Sequence, residues 1–331
     1  MSCMFEKQMF DKNDAFALRG WCILLIILHH LLLFYGEKYG VSLPRWTIEL
    51  RSILGYAVVG TFFMLSGYGI YHSIVKNRPL SIHYWIRRLL KLYLPYVFVV
   101  LAISILEQII ADFEVKELWQ SLATLSLPTE ELWFMKTIVV FHILSYALLG
   151  YLRRPHLALV IISALTLAWM IIAYYFIGLN GWKSHWCQSL WCFPIGLWLA
   201  LYCDKLSKLK PVVWLAVVAL FTASYLTTLL FHTHYAPESL KYALSPWAYN
   251  FSAMSFALLF IRFVPMLGTR SKLLNYCGHN SWMLYLGHVG LLQLFTPKSV
   301  MLFTILVVTV AFALTALYNW INNHCLYKLT Q

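Results

Sequence analysis

Residues 18–35 read L-R-G-W-C-I-L-L-I-I-L-H-H-L-L-L-F-Y, and this run decides the fold. A helix needs about twenty mostly apolar residues to cross a hydrocarbon layer of about 30 Å. Within the run only Arg19, His29 and His30 are basic, and no residue is acidic. Comparable stretches follow the first, at 18–36, along the whole chain: 53–75, 92–111, 132–152, 157–179, 185–203, 211–231, 244–265, 279–296 and 300–325. The pattern predicts an all-α protein, a polytopic membrane bundle of about ten transmembrane helices.

Composition points the same way. Of 331 residues, 61% are hydrophobic and 11% charged, against about 45–50% and about 25% in a soluble domain. One soluble core cannot absorb that much apolar surface, so membrane lipid is the expected surrounding. The net charge of +12 raises the question of nucleic acid. No basic run stands clear of the apolar segments and no nucleic-acid motif is present, so no nucleic-acid partner is expected. The charge reads instead as a topology signal. Seven cysteines are scattered without a C-x-x-C pair or a disulfide framework and are expected to be small buried apolar residues. The first apolar run lacks a cleavage site and reads as a retained helix.

Ten spans put both termini on one side, and the excess of Lys and Arg in cytoplasmic loops chooses which. With the N-terminus inside, the inner segments hold seventeen of the 25 cations. Among them are Lys7, Lys12 and Arg19, the group Lys76, Arg78, Arg87, Arg88 and Lys91, and then Arg153 and Arg154. The outer segments hold seven: Lys38, Arg45, Arg51, Lys116, Lys183, Lys241 and Lys298. An acidic outer stretch with Asp112, Glu114, Glu117, Glu130 and Glu131 fits this orientation. Both termini are expected in the cytoplasm and the protein in the plasma membrane.

A titratable side chain at membrane depth costs at least about 2.5–3.5 kcal/mol on insertion scales, so each one marks a candidate site. Arg19 and His30 are eleven residues apart, about 16 Å along a helix and only about 20° around it. They share a face. That geometry suits an elongated anionic donor such as coenzyme A, its phosphates held by Arg19 and its reactive end near His30. An imidazole is a fitting general base for an acceptor hydroxyl. Each residue also has a plain structural alternative: Arg19 as a positive-inside anchor, His29 and His30 as polar residues bonded to a neighbouring helix.

The second span, G-Y-A-V-V-G-T-F-F-M-L-S-G-Y-G-I-Y, carries Gly60, Ser66, Gly67 and Gly69, small residues that either admit a ligand or let helices pack closely. Arg88 and Lys91 follow, neighbours on a helical face able to hold phosphate, or to anchor the loop on anionic headgroups. Lys136 and His142 lie within the fourth span, where Lys136 either meets substrate or snorkels to the interface. In the ninth, Ser281, Tyr285 and His288 recur four and three residues apart and form one polar stripe, for a cavity or for helix-to-helix hydrogen bonds. His232 and His234 form an H-T-H pair too sparse for a metal site, so no metal is expected.

Four of these motifs together resemble the acyltransferase-3 family of multi-pass membrane acyltransferases, which modify surface glycans and lipids with acetyl or related groups. Arg19 and His30 match its R-x10-H, and Phe62, Phe63, Ser66 and Gly67 its F-F-x-x-S-G. Arg88 and Lys91 occupy its R-x-x-R, followed by Leu94-Pro95-Tyr96. S-W-M-L-Y-L-G-H at 281–288 is similar to its S-Y-x-x-Y-L-x-H, and Leu132-Trp133-Phe134 to the start of its fourth helix. Lys91 departs from the second arginine, and Trp282 and Gly287 from the residues common at their positions.

The resemblance implies His30 as catalytic base with Arg19, and an acyl-CoA donor, expected to be acetyl-CoA, approached from the cytoplasm. Arg19, Arg88 and Lys91 would bind it, with Ser66, Gly67 and Phe63 beside them. Lys136, Ser281, Tyr285 and His288 are then expected to line the substrate cavity. The expected activity is O-acetylation of a hydroxyl on a cell-surface or lipid-linked carbohydrate, a polysaccharide or glycolipid, by one membrane domain over 1–331 without an appended soluble domain. The alternative is a transporter or flippase for a lipid-linked or small anionic substrate, although no matched halves are visible.

Overall fold

In hydrocarbon every backbone N–H and C=O must find its partner within the protein, which a helix supplies from its own turns. The computed structural model describes residues 12–76, 81–110, 115–127, 132–152, 154–206, 209–231, 236–267, 271–295 and 299–326. Among them every regular element is helical: α1 Lys12–Tyr39, α2 Arg45–Ile53, α3 Val59–Lys76, α4 Ile82–Ile110, α5 Val115–Thr124, α6 Trp133–Tyr151 and α7 Pro155–Ile171. Then come α8 Cys192–Leu201, α9 Cys203–Leu206, α10 Pro211–Phe231, α11 Glu238–Phe263, α12 Lys272–His279, α13 Ser281–Leu294 and α14 Val300–Ile321. Lys7, Arg78, Asp112, Glu114, Glu130, Glu131, Arg153, His232, His234 and Lys298, weighed above, lie outside the described residues.

Eight helical segments are long and apolar enough to cross a membrane, among them Asn13–Gly36, Arg45–Lys76, Ile82–Ile109 and Val300–Cys325. The chain is a multi-pass membrane protein. Two of the ten expected spans are built differently. The sixth, 185–203, opens in the 3₁₀ turn Gly181–Trp186, passes Ser189 in the left-handed region at φ 63°, and becomes helical only at α8, ten residues long. At about 1.5 Å per residue that is roughly half a hydrocarbon layer. The ninth is α12 and α13 with a break at Asn280 (φ −101°, ψ 13°), leaving 14 residues in α13. Hydropathy reports burial of either kind, and these two segments are covered largely by protein. Phe193, Leu197, Cys192, Leu284 and Leu286 are fully buried.

The chain groups into two compact units. The first takes Met1–Cys22, Glu49–Pro79 and Phe141–Gly278. Its central crossing is α3 on α8, where backbones touch: a Cβ on Gly67 would strike the Phe193 carbonyl, and one on Gly196 the Met64 carbonyl. The start of α1 meets α12 the same way, Gly20 against the Leu274 carbonyl and Gly278 against that of Phe16. Such small-residue crossings are how membrane helices gain packing where lipid tails offer no hydrophobic drive.

The irregular stretch before α8 keeps its backbone bonded through buried Asn250 of α11. The Asn250 amide donates to the Cys187 carbonyl at 2.8 Å, and its oxygen accepts from the Trp191 N–H at 3.2 Å. Non-helical backbone survives at membrane depth only with such partners. A π-helical turn at Leu54–Val58 leads into α3 and carries Tyr56, whose hydroxyl meets Ser252 at 3.0 Å.

The second unit takes Ile23–Ile48, Leu80–Val140 and His279–Gln331. In it the remainder of α1 packs on α14, with Phe34 stacked on Phe303 at 6.4 Å and Tyr35 hydrogen-bonded to Thr304 at 2.6 Å. α13 lies against both α4 and α14. Gly290 fits beneath Ile103, and the Trp282 indole N–H donates to the Leu92 carbonyl at 3.0 Å, in the turn that Pro95 loosens. Asn319 of α14 donates to Asn280 at 2.8 Å and holds the break between α12 and α13. Cys22, Cys187, Cys192, Cys203 and Cys277 are buried free thiols. Cys325 corrects the expectation for cysteines: it is exposed, in the last described turn, Asn322–Leu326.

Candidate active site

α1 is one continuous helix from Lys12 to Tyr39, so the register argument applies to it as it stands. Arg19 and His30 lie about 16 Å apart along the axis and about 20° around it. His30 is turned toward α13. Its Nδ1 stands 2.8 Å from Nε2 of His288 on α13, with ring centroids 5.1 Å apart. His29 places its ring edge-on to His30 at 5.0 Å.

His288 is fully buried, and its Nδ1 lies 2.8 Å from the Leu284 carbonyl oxygen, one turn back on α13. Tyr285 stands edge-on to His288 at 5.9 Å. On its other sides Tyr285 meets Phe134 of α6 at 5.3 Å and stacks on Trp282 at 5.8 Å. The polar stripe of α13 thus brings Tyr285 and His288 to His30, with an aromatic wall behind. Ser281 is the first residue of α13, half-buried, two turns from His288. Lys136 stands two residues beyond Phe134, about 200° around α6, and does not share Phe134's face.

Arg88 is half-buried near the start of α4. Its Nε donates to the Tyr84 hydroxyl at 3.3 Å, and the guanidinium lies 5.4 Å over the same ring. Lys91, one turn on, is exposed and adjoins Leu92, the carbonyl that anchors Trp282. In the first unit Arg19 lies along α3 at Gly69: an Nη stands 3.5 Å from where a Cβ on that glycine would be. Ser66, half-buried, is one turn before Gly69 on the same face.

Phe63 and Gly67 are occupied in packing. Phe63 is fully buried against Phe141 at 5.7 Å, and Phe141 stacks on Phe193 at 4.3 Å, while Gly67 meets the backbone of α8. They hold α3 in place, so that Ser66 and Gly69 form the face beside Arg19. Sequence reasoning passed over His72, one turn after Gly69. Its ring packs on Tyr68 at 4.6 Å, and its buried Nε2 has no hydrogen-bond partner. Such an atom on the helix that carries Gly69 is where a donor group would be sought.

The features run in the order R-x10-H, F-F-x-x-S-G, R-x-x-K and S-W-x-x-Y-L-x-H, and a family model for an acyltransferase domain, acyltransferase-3, matches residues 16–321. The chain belongs to the acyltransferase-3 family. Comparison with curated proteins and with solved structures gives no significant match. As an acyltransferase-3 protein it is a multi-pass membrane acyltransferase. The match runs beyond the ninth-span motif through α14, the helix whose Phe303 and Thr304 hold the C-terminal half of α1 beside His30.

Proposed function

We propose that the protein transfers an acetyl group from acetyl-CoA to a hydroxyl of a cell-surface or lipid-linked carbohydrate. It acts in the plasma membrane with both termini in the cytoplasm. The observation that carries the reading is the imidazole of His30, held at membrane depth by His288 through one ring nitrogen only. Its other nitrogen, Nε2, is the one available for a proton.

In the proposed reaction His30 takes the proton of the acceptor hydroxyl. The hydroxyl oxygen forms a bond to the thioester carbonyl carbon, the carbon–sulfur bond breaks, and the coenzyme A thiolate leaves with the proton that His30 then gives up. By the resemblance Arg19 is a donor-binding cation of the first unit, and Arg88 and Lys91 are donor-binding cations of the second. Arginine forks match phosphate bidentately, and Lys91 acts as a point charge. Ser66 borders Arg19's face, Gly67 and Phe63 position α3, and Tyr285 and Ser281 serve the acceptor side.

Replacing His30 by Ala is expected to lower acyl transfer by about 10²–10⁴-fold, the usual contribution of a general base, while membrane insertion is kept. Transfer at the original rate would remove His30 from the reaction. Mass spectrometry of surface glycans from cells with and without the gene is expected to show a difference of one acetyl unit. Turnover of acetyl-CoA by the purified protein separates this reading from transport, which consumes no thioester.

A further inference from the structure

We propose that His288 is a positioning residue that fixes the tautomer of His30, placing the proton on Nδ1 and the reactive lone pair on Nε2. The inference rests on reading His30 as the base. It follows from counting protons along three groups in line: the Leu284 carbonyl, His288 and His30.

A carbonyl oxygen only accepts, so the His288 nitrogen 2.8 Å from Leu284, Nδ1, carries a hydrogen and donates it. A neutral imidazole has one N–H. Nε2 of His288 therefore presents a lone pair, and it presents it to Nδ1 of His30, 2.8 Å away. Between those two atoms the hydrogen belongs to His30. Its own second nitrogen, Nε2, is then unprotonated, as a general base must be.

Full burial of His288 favours this neutral arrangement, because an added charge there would be taken out of water. The arrangement does the work of the carboxylate that orients histidine in a catalytic triad without adding an anion at membrane depth. When His30 takes a proton on Nε2, both N–H groups of the relay already point toward the Leu284 oxygen, so the new positive charge meets aligned dipoles. The stripe position of His288 on α13 thus has a directional role.

The test uses the purified full-length protein. His288→Phe keeps the ring volume and removes the acceptor. It is expected to lower kcat by at least about 100-fold while KM for acetyl-CoA stays within about threefold. His288→Gln can present its amide oxygen to His30 and is expected to recover to within about tenfold of wild type. A fully active His288→Phe, or a His288→Gln that folds but is as inactive as His288→Phe, would overturn the proposal. Ring-nitrogen NMR of ¹⁵N-histidine wild-type protein reads the tautomer without relying on these variants. The His30 signal, identified by its loss in His30→Ala, is expected to show a protonated Nδ1, and a protonated Nε2 would sink the assignment. Full activity of His30→Ala would instead remove the underlying base, so the two failures are told apart.

Discussion

Arg88 is proposed to hold an anion, and its surroundings orient it for that task. Its Nε is bound to the Tyr84 hydroxyl and its plane lies over the Tyr84 ring, so the fork is oriented by its own helix. Arg88→Ala is expected to raise KM for the proposed donor, acetyl-CoA, by about 10–100-fold, the equivalent of one or two charge-assisted hydrogen bonds, with kcat changed little. An unchanged KM in steady-state kinetics would mean that the phosphates are held elsewhere. Arg19 and His30 were readable as a pair because one helix carries both, and helical register follows from arithmetic. His30 and His288 were each conspicuous as histidines, but their hydrogen bond joins positions 258 apart in sequence. Only packing of α1 and α13 reveals it. The same limit hid the part played by Phe63 and Gly67, since a small residue beside an aromatic looks alike whether it faces a ligand or a carbonyl.

At the scale of elements, the informative departures are α8 and α13. Both come from long apolar runs, and both are too short to cross alone. Hydropathy measures distance from water, and a segment wrapped by protein is as dry as one facing lipid. What the runs could not show was the backbone turn at Ser189, or Asn250 as the residue that satisfies the chain around it. Asn250→Leu removes a donor to the Cys187 carbonyl and an acceptor for the Trp191 N–H, each worth about 1–3 kcal/mol when left buried and unmet. The variant is expected to melt several degrees lower in detergent than wild type. Equal melting temperatures would show that the segment finds other partners. Gly20 and Gly278, by contrast, could be foreseen only as generic packing glycines, because their contact joins the first helix to the twelfth.

At the scale of the molecule, ten expected spans gave eight helices long and apolar enough to cross among the described residues, while the order of the apolar segments followed from the sequence. The grouping into two discontinuous units did not, because each unit gathers segments far apart in the chain. The charge asymmetry predicts sidedness, and Cys325, an exposed free thiol beyond α14, provides a probe. A membrane-impermeant maleimide is expected to label Cys325 only in opened cells, and to label Lys183→Cys, in a Cys325→Ser background, in intact ones. The reverse pattern would invert the topology. The Gly20–Gly278 crossing limits how the start of α1 can move. With the carbonyls of Phe16 and Leu274 seated against facing glycines, α1 is bolted at one end, and a slip of a single residue would turn its side chains by about 100°. Such a slip would drive side chains into carbonyls that now face glycine, so the start of α1 is fixed in register and rotation against α12.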